Sequence, residues 1–178
     1  DMMNHGMKAH TLKLTRSLLI SLNLKAGKKA LQSSAFEAAV QYTAIGVGMR
    51  GRDCWDESQY ATTLDLFSTA AQAEFCNANP DRCKWYIDHA LAQPQGSILD
   101  KFRVYTCLID YYNFHEKHSE ALATSIMVIK QLGVDFGPPA LLPFATVSSL
   151  LKTKRLLRGM NTAGILGLPP MQDKTKRM

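Results

Sequence analysis

Residues 97–133 read SILDKFRVYTCLIDYYNFHEKHSEALATSIMVIKQLG, and this stretch decides the fold. Phe102, Tyr105, Leu108, Ile109 and Tyr112 recur at steps of three and four, which puts them on one broad face of a helix. Ser97 or Asp100 can cap its start. Asn113 to His118 reads as a turn. A second helix from about Ser119 carries Ala121, Leu122, Ile126, Ile129 and Leu132, and Gly133 suits its C-terminal cap. Two helices joined by so short a turn must lie antiparallel.

Working towards the N-terminus, the same grammar repeats. Cys83, Tyr86, Ile87 and Ala90 form the inner face of a helix over 81–91, bounded by Asn77-Ala78-Asn79-Pro80 and by Gln93-Pro94-Gln95-Gly96. Asp81 can favour its start through the macrodipole. Before it, Tyr60, Leu64, Phe67, Ala71 and Phe75 mark a helix beginning near Trp55, with Asp53 as its cap. Ser33 or Ser34 suits the N-cap of a helix carrying Ala35, Phe36, Ala39, Val40 and Ile45. Gly46, Gly48 and Gly51 are expected to weaken and end it. The first helix spans about 10–30, with Leu14, Leu18, Leu22 and Ala26 as its apolar stripe.

Towards the C-terminus, residues 134–144 read as a Pro/Gly linker. A last helix over about 145–158 carries Val147, Leu150, Leu151 and Leu157, and a tail follows. No segment alternates apolar and polar residues long enough to argue a sheet. The expected fold is therefore all-α. Antiparallel helix hairpins stack as an α-solenoid resembling tetratricopeptide repeats over 1–133, and 134–178 form the linker, a basic helix and a tail. In the pair at 98–132, Tyr105, Leu108, Ile109 and Tyr112 fall on the core positions of a first repeat helix. Ala121 falls where the two helices approach closely, and Val128 on the later small position. Ser125 and Ile109 depart from the usual residues of such a repeat.

Composition supports a folded chain: 46% of its 178 residues are hydrophobic and 20% charged. No apolar run approaches the length needed to span a bilayer, and the start lacks a signal peptide's apolar stretch. A cytosolic location is expected. Asp1 in place of an initiator Met points to a fragment or processed product. The net charge of +6 is uneven. Residues 1–133 carry 14 basic against 13 acidic side chains, whereas 134–178 carry seven basic against Asp135 and Asp173. An acidic partner would meet the C-terminal segment.

Chemistry-bearing motifs are sparse. Gly46, Gly48 and Gly51 lack the Lys-Ser/Thr and the preceding strand of a phosphate loop, so ATP binding by this segment is not expected. His115-Glu116-Lys117-His118 has the wrong spacing for a helical zinc site and falls in a turn. Cys54, Cys76, Cys83 and Cys107 lack the CxxC pattern and read as free buried thiols. Cys83 and His89 lie six apart on different faces, which gives no nucleophile–base pair. No catalytic residue, cofactor or metal is expected. The surfaces left are Tyr111 and Tyr112, one of which could line a groove that holds a partner protein, and the basic run Lys152, Lys154, Arg155 and Arg158. That run lacks the interleaved aromatics of a nucleic-acid module.

Several words spread over about 150 residues carry a more specific resemblance. They are Leu22-Asn23-Leu24-Lys25-Ala26-Gly27-Lys28-Lys29-Ala30, Ser34-Ala35-Phe36-Glu37-Ala38-Ala39, Trp55, and Ala73-Glu74-Phe75. Glu120-Ala121-Leu122, Leu132-Gly133-Val134 and Leu168-Pro169-Pro170-Met171-Gln172-Asp173 complete them. In order and spacing the chain resembles the helical region that follows the AAA-type ATPase module of large multidomain signalling kinases. Those proteins carry a serine/threonine-kinase-like domain at one end and often GAF and histidine-kinase domains at the other. The resemblance implies a non-enzymatic scaffold that makes protein contacts between ATPase and output sides. A free-standing peptide-binding module is the alternative, and a basic nucleic-acid-binding helical domain is a weaker third.

Overall fold

A computed structural model describes residues 2–51, 54–134, 142–160, 164 and 166–169. Asp53, Asp135, most of the Pro/Gly linker and the Pro170–Met178 tail lie outside the described residues, and with them the cap expected at Asp53. Among the described residues the chain is all-α, with α1 (Met2–Gln32), α2 (Phe36–Gly48), α3 (Glu57–Cys76), α4 (Pro80–Leu91), α5 (Phe102–Phe114), α6 (His118–Gln131) and α7 (Leu142–Leu157). By compactness it divides at 126/127, inside α6.

In the first unit, residues 1–126, the helices run as sequential antiparallel pairs. The linkers between α1 and α2, α3 and α4, and α5 and α6 are each three residues long. All three solve the reversal identically. Ser34, Ala78 and Glu116 take the left-handed conformation, with φ of 56°, 59° and 58°. The Ser34 N–H then donates to the Leu31 carbonyl (3.0 Å) and the Ala35 N–H to Ala30 (2.9 Å). Ala78 and Asn79 donate in the same way to Phe75 (3.1 Å) and Glu74 (2.9 Å), and Glu116 and Lys117 to Asn113 (3.1 Å) and Tyr112 (2.9 Å). This is the Schellman closure of a helix end, with a side chain where glycine is usual.

The turn corrects one expectation. Ser34 does not cap α2; it closes α1, and the N-cap of α2 is Ala35, without a side-chain hydrogen bond. Similarly α4 starts at Pro80, whose fixed φ and missing N–H suit a first helical position, one residue before the expected Asp81. Around α5 the expectation was closer. Ser97 and Asp100 form a reciprocal box: Ser97 N–H and Oγ–H reach the Asp100 carboxylate at 2.7 and 2.8 Å, and the Asp100 N–H reaches Ser97 Oγ at 3.2 Å. Those bonds hold the Asp100 carboxyl below its ordinary pKa. The box organises the turn before Phe102, and Lys101 is the N-cap.

Counted from the left-handed residue, the second helix of each pair buries the same positions. They are Ala39, Thr43 and Gly46 in α2, and Cys83, Ile87 and Ala90 in α4. In α6 they are Ala121 and Val128, with Ser125 half-buried between. The middle position explains why Ser125 departs from an apolar residue. Its hydroxyl donates to the Ala121 carbonyl at 2.8 Å, as Thr43 does to Ala39 at 2.8 Å. A hydroxyl bonded one turn back brings no unsatisfied polar atom into a helix contact.

Helix α3 is central to this unit and packs against α1, α2, α4 and α5. Leu64, Phe67, Ala70 and Ala71 join Cys83, Tyr86, Ile87, Ala90, Val104, Cys107 and Leu108 in one core. Gly46 lies inside α2, not at its end. A Cβ there would stand 3.0 Å from Leu66, so the missing side chain sets the close approach of α2 and α3. Gly27 does the same between α1 and α2, where a Cβ would meet Thr43 Cγ2 at 2.9 Å.

Helix α1 differs from its expectation in length and in face. It begins at Met2, and it turns Ile20, Leu24, Gly27 and Ala30 inward. The stripe expected to be internal points out: Leu14, Leu18 and Leu22 are 59%, 60% and 50% exposed. Leu122 of α6 is also exposed. In the second unit, residues 127–178, every described side chain of α7 is exposed, among them Val147, Leu150, Leu151 and Leu157. No helix among the described residues is long and apolar enough to cross a membrane.

Candidate functional site

Tyr111 and Tyr112 are consecutive on α5, yet both pack against the main core and both are half-buried. Their rings meet edge to face with centroids 5.9 Å apart. Tyr111 has the more elaborate surroundings. The His115 ring lies 4.2 Å from its ring, and Lys84 Nζ, from α4, lies 5.9 Å from its centroid. Lys84 is held by Asp88 on the next turn at 2.6 Å. On the same helix Trp85, 48% exposed, carries the His89 ring at 3.8 Å. The α4 and α5 surface therefore carries two tilted histidine–aromatic contacts and a lysine. From the sequence, His89 is weighed only as a base for Cys83, and Lys84 carries no expectation. The signal available was an aromatic followed by His four residues later in both helices, Trp85/His89 and Tyr111/His115.

The histidines have a defined state of bonding. His89 Nδ1 lies 2.8 Å from the Trp85 carbonyl and His115 Nδ1 2.9 Å from the Tyr111 carbonyl. A carbonyl only accepts, so Nδ1–H donates in both. The thiols are of the opposite character. Burial pushes Cys83 up to about 12 and Cys107 up to about 11, with the neighbouring Cys107 adding to the first and Asp110 to both. At neutral pH both are protonated and poor nucleophiles. Cys76 departs from the expectation of buried thiols and is exposed. Among the described residues no group of three His, Cys, Asp or Glu side chains is placed to hold a metal ion.

Two ionic clusters link the helices of the first unit. Asp65 of α3 accepts from Lys28 of α1 at 2.5 Å and from Arg103 of α5 at 2.7 Å, tying together the first helices of all three pairs. Glu74, only 1% exposed, lies at the end of α3. It accepts from Asn79 Nδ2 at 3.0 Å, and Arg82 Nε stands 2.9 Å from its other oxygen. That second contact is an ion pair without hydrogen-bond alignment. Hydrogen bonding to Tyr86 and the Glu74 charge raise the Arg82 pKa.

The basic residues expected to face a partner, Lys152, Lys154, Arg155 and Arg158, are all exposed. The first three lie on α7, and Arg158 follows its last residue. They belong to the second unit, whereas Tyr111 and Tyr112 belong to the first. No family model, curated protein or solved structure matches the chain.

Proposed function

We propose that this chain is a non-catalytic helical-repeat scaffold, an α-solenoid of the tetratricopeptide kind, acting within a multidomain AAA ATPase and sensor-kinase protein of the cytoplasm. Its task would be to make protein contacts that relay the state of one neighbouring domain to another. The observation that carries the reading is the threefold recurrence of one device. Each pair has a three-residue left-handed turn, and the helix after it repeats one pattern of buried positions. A unit repeated in this way extends by stacking, and stacked pairs leave faces open to partners. Leu14, Leu18 and Leu22 supply such a face on α1. The placement of reactive groups favours the same reading. The two buried thiols are held protonated, and both histidines, His89 and His115, spend Nδ1 on their own helix.

The test begins with the reading frame that encodes the chain, where a P-loop ATPase module is expected immediately upstream. Calorimetric titration of that module with the chain should then give binding. Replacing Leu14, Leu18 and Leu22 together by serine should weaken it at least about tenfold while the helical circular-dichroism signal is retained. A frame without an ATPase module, or a triple variant that binds as well as the parent, would sink the proposal. Exposed Trp85 and the Lys84–Tyr111 contact favour the alternative of a free-standing peptide-binding module. For that reading, Trp85→Ala should abolish peptide capture in a frame that lacks the ATPase.

A further inference from the structure

A second region, at the junction of α1 with the segment after α2, has no role in this scaffold. Here a cleft of about 800 Å³ is lined by Lys13, Arg16, Ile20, Met49, Arg50 and Asp56, among others. Among the described residues, three cations therefore face one carboxylate. Arg50 is the unusual member. Its Nη1 donates to Gln59 Oε1 at 3.0 Å. Its Nε and Nη2 are closed off from solvent and have no hydrogen-bond partner among the described residues. These two nitrogens form one edge of the guanidinium, the edge whose parallel N–H bonds match the two oxygens of a carboxylate or phosphate. Arg16 approaches the same corner and donates through Nε to the Met49 carbonyl.

An ionised fork enclosed without acceptors is costly, because its N–H groups lose water and gain nothing. Burial lowers the Arg50 pKa, the nearby Cys54 opposes that, and the adjoining Arg16 charge lowers it further. Two guanidinium groups side by side repel, and a dianion between them removes both penalties.

We propose that this cleft is an oxyanion site, in which Arg50 holds the phosphate or carboxylate group of a small organic anion bidentately and Arg16 and Lys13 supply further charge. The enclosed edge must turn outward about its anchor at Gln59 to meet the anion, and Ile20 and Met49 form the apolar wall for the rest of the ligand. The cleft volume suits a molecule up to about the size of a nucleotide.

Thermal unfolding of the whole chain at fixed ionic strength provides the test, with sodium phosphate in one arm, sodium succinate in another and sodium chloride as the reference. A hundredfold excess over Kd should raise Tm by about 5–10 °C. The arm that shifts Tm identifies the anion as phosphate or carboxylate, and either supports the site. Arg16→Gln and Arg50→Met should each remove most of the shift. Without ligand, Arg50→Met should melt within about 2 °C of the parent, because the fork it removes is unpaired. No shift in either arm overturns the proposal, as does a full shift in Arg16→Gln. A large ligand-free loss in Arg50→Met also counts against it, since it would show the fork already satisfied within the fold.

Discussion

Helices α4 and α1 both carry an apolar stripe by sequence, and they fare differently in the fold. In α4 the four residues on the apolar face, Cys83, Tyr86, Ile87 and Ala90, are the four that the fold buries. In α1 the regular leucine stripe lies outside, and the buried stripe consists of Ile20, Leu24, Gly27 and Ala30. The reason is the number of apolar faces. Outside its single stripe half of the α4 residues are charged (Asp81, Arg82, Lys84 and Asp88), so one orientation satisfies it. Around α1 there are two apolar faces, and the bulkier one is not the better fit. Gly27 and Ala30 admit α2 to a distance that leucines would forbid. Close packing of two helices rewards small residues at the crossing more than large ones beside it.

The comparison can be broken by substitution. The largest effect should come from Ile87→Ala in α4, a loss of about 2–5 kcal/mol from emptying a fully buried site, against about 0.5 kcal/mol or less for Leu18→Ala in α1. Chemical denaturation of the two variants measures both, and equal losses would mean that Leu18 is covered. Gly27→Val should come next, at about 1–3 kcal/mol, because its Cβ would meet Thr43, which is pinned by its hydroxyl to the Ala39 carbonyl. A stabilised Gly27→Val chain would show that α1 and α2 do not approach closely.

The contrast between buried and exposed groups also has a pH signature. The Cys83 and Cys107 pKa values are raised from 9.0 to about 12 and about 11 in the fold. Their stabilising contribution is therefore complete below pH 9 and is lost as pH rises from there through the folded values. Equilibrium unfolding from pH 8 to about 11 should show falling stability, and Cys83→Ala should flatten the fall, whatever its own cost at pH 8. Asp100 has the opposite sign. Its lowered pKa adds stability above the ordinary carboxyl range that is lost as pH falls through the folded value, and Ser97→Ala should reduce that acid sensitivity.

The smallest effect concerns the turns. Glycine at Ser34, Ala78 or Glu116 relieves the left-handed strain at some cost in chain entropy, for a net gain of about 0.5–1 kcal/mol at each. Gly133, which closes α6 in the same way with φ 82°, already occupies that position and is the internal reference. A loss at all three positions would show that the side chains make contacts worth more than the strain.

Sequence by itself determined the helical class, the pairing, the inner face of α4 and the end marked by Gly133, whereas α3 is buried on nearly every side from Thr63 to Glu74. These are local properties: periodicity, turn chemistry and glycine or proline geometry act within a few residues. Only the tertiary structure decided which face of α1 is inside, that Gly46 lies within a helix, and that Ser34, Ala78 and Glu116 share one strained turn. It also decided which charges meet. Asp65 joins Lys28 and Arg103, more than thirty residues away in each direction, and Arg50 keeps an enclosed edge without a hydrogen-bond partner among the described residues. No local rule reaches these outcomes, because each depends on how closely two helices distant in sequence approach and on which side chains happen to lie across the gap.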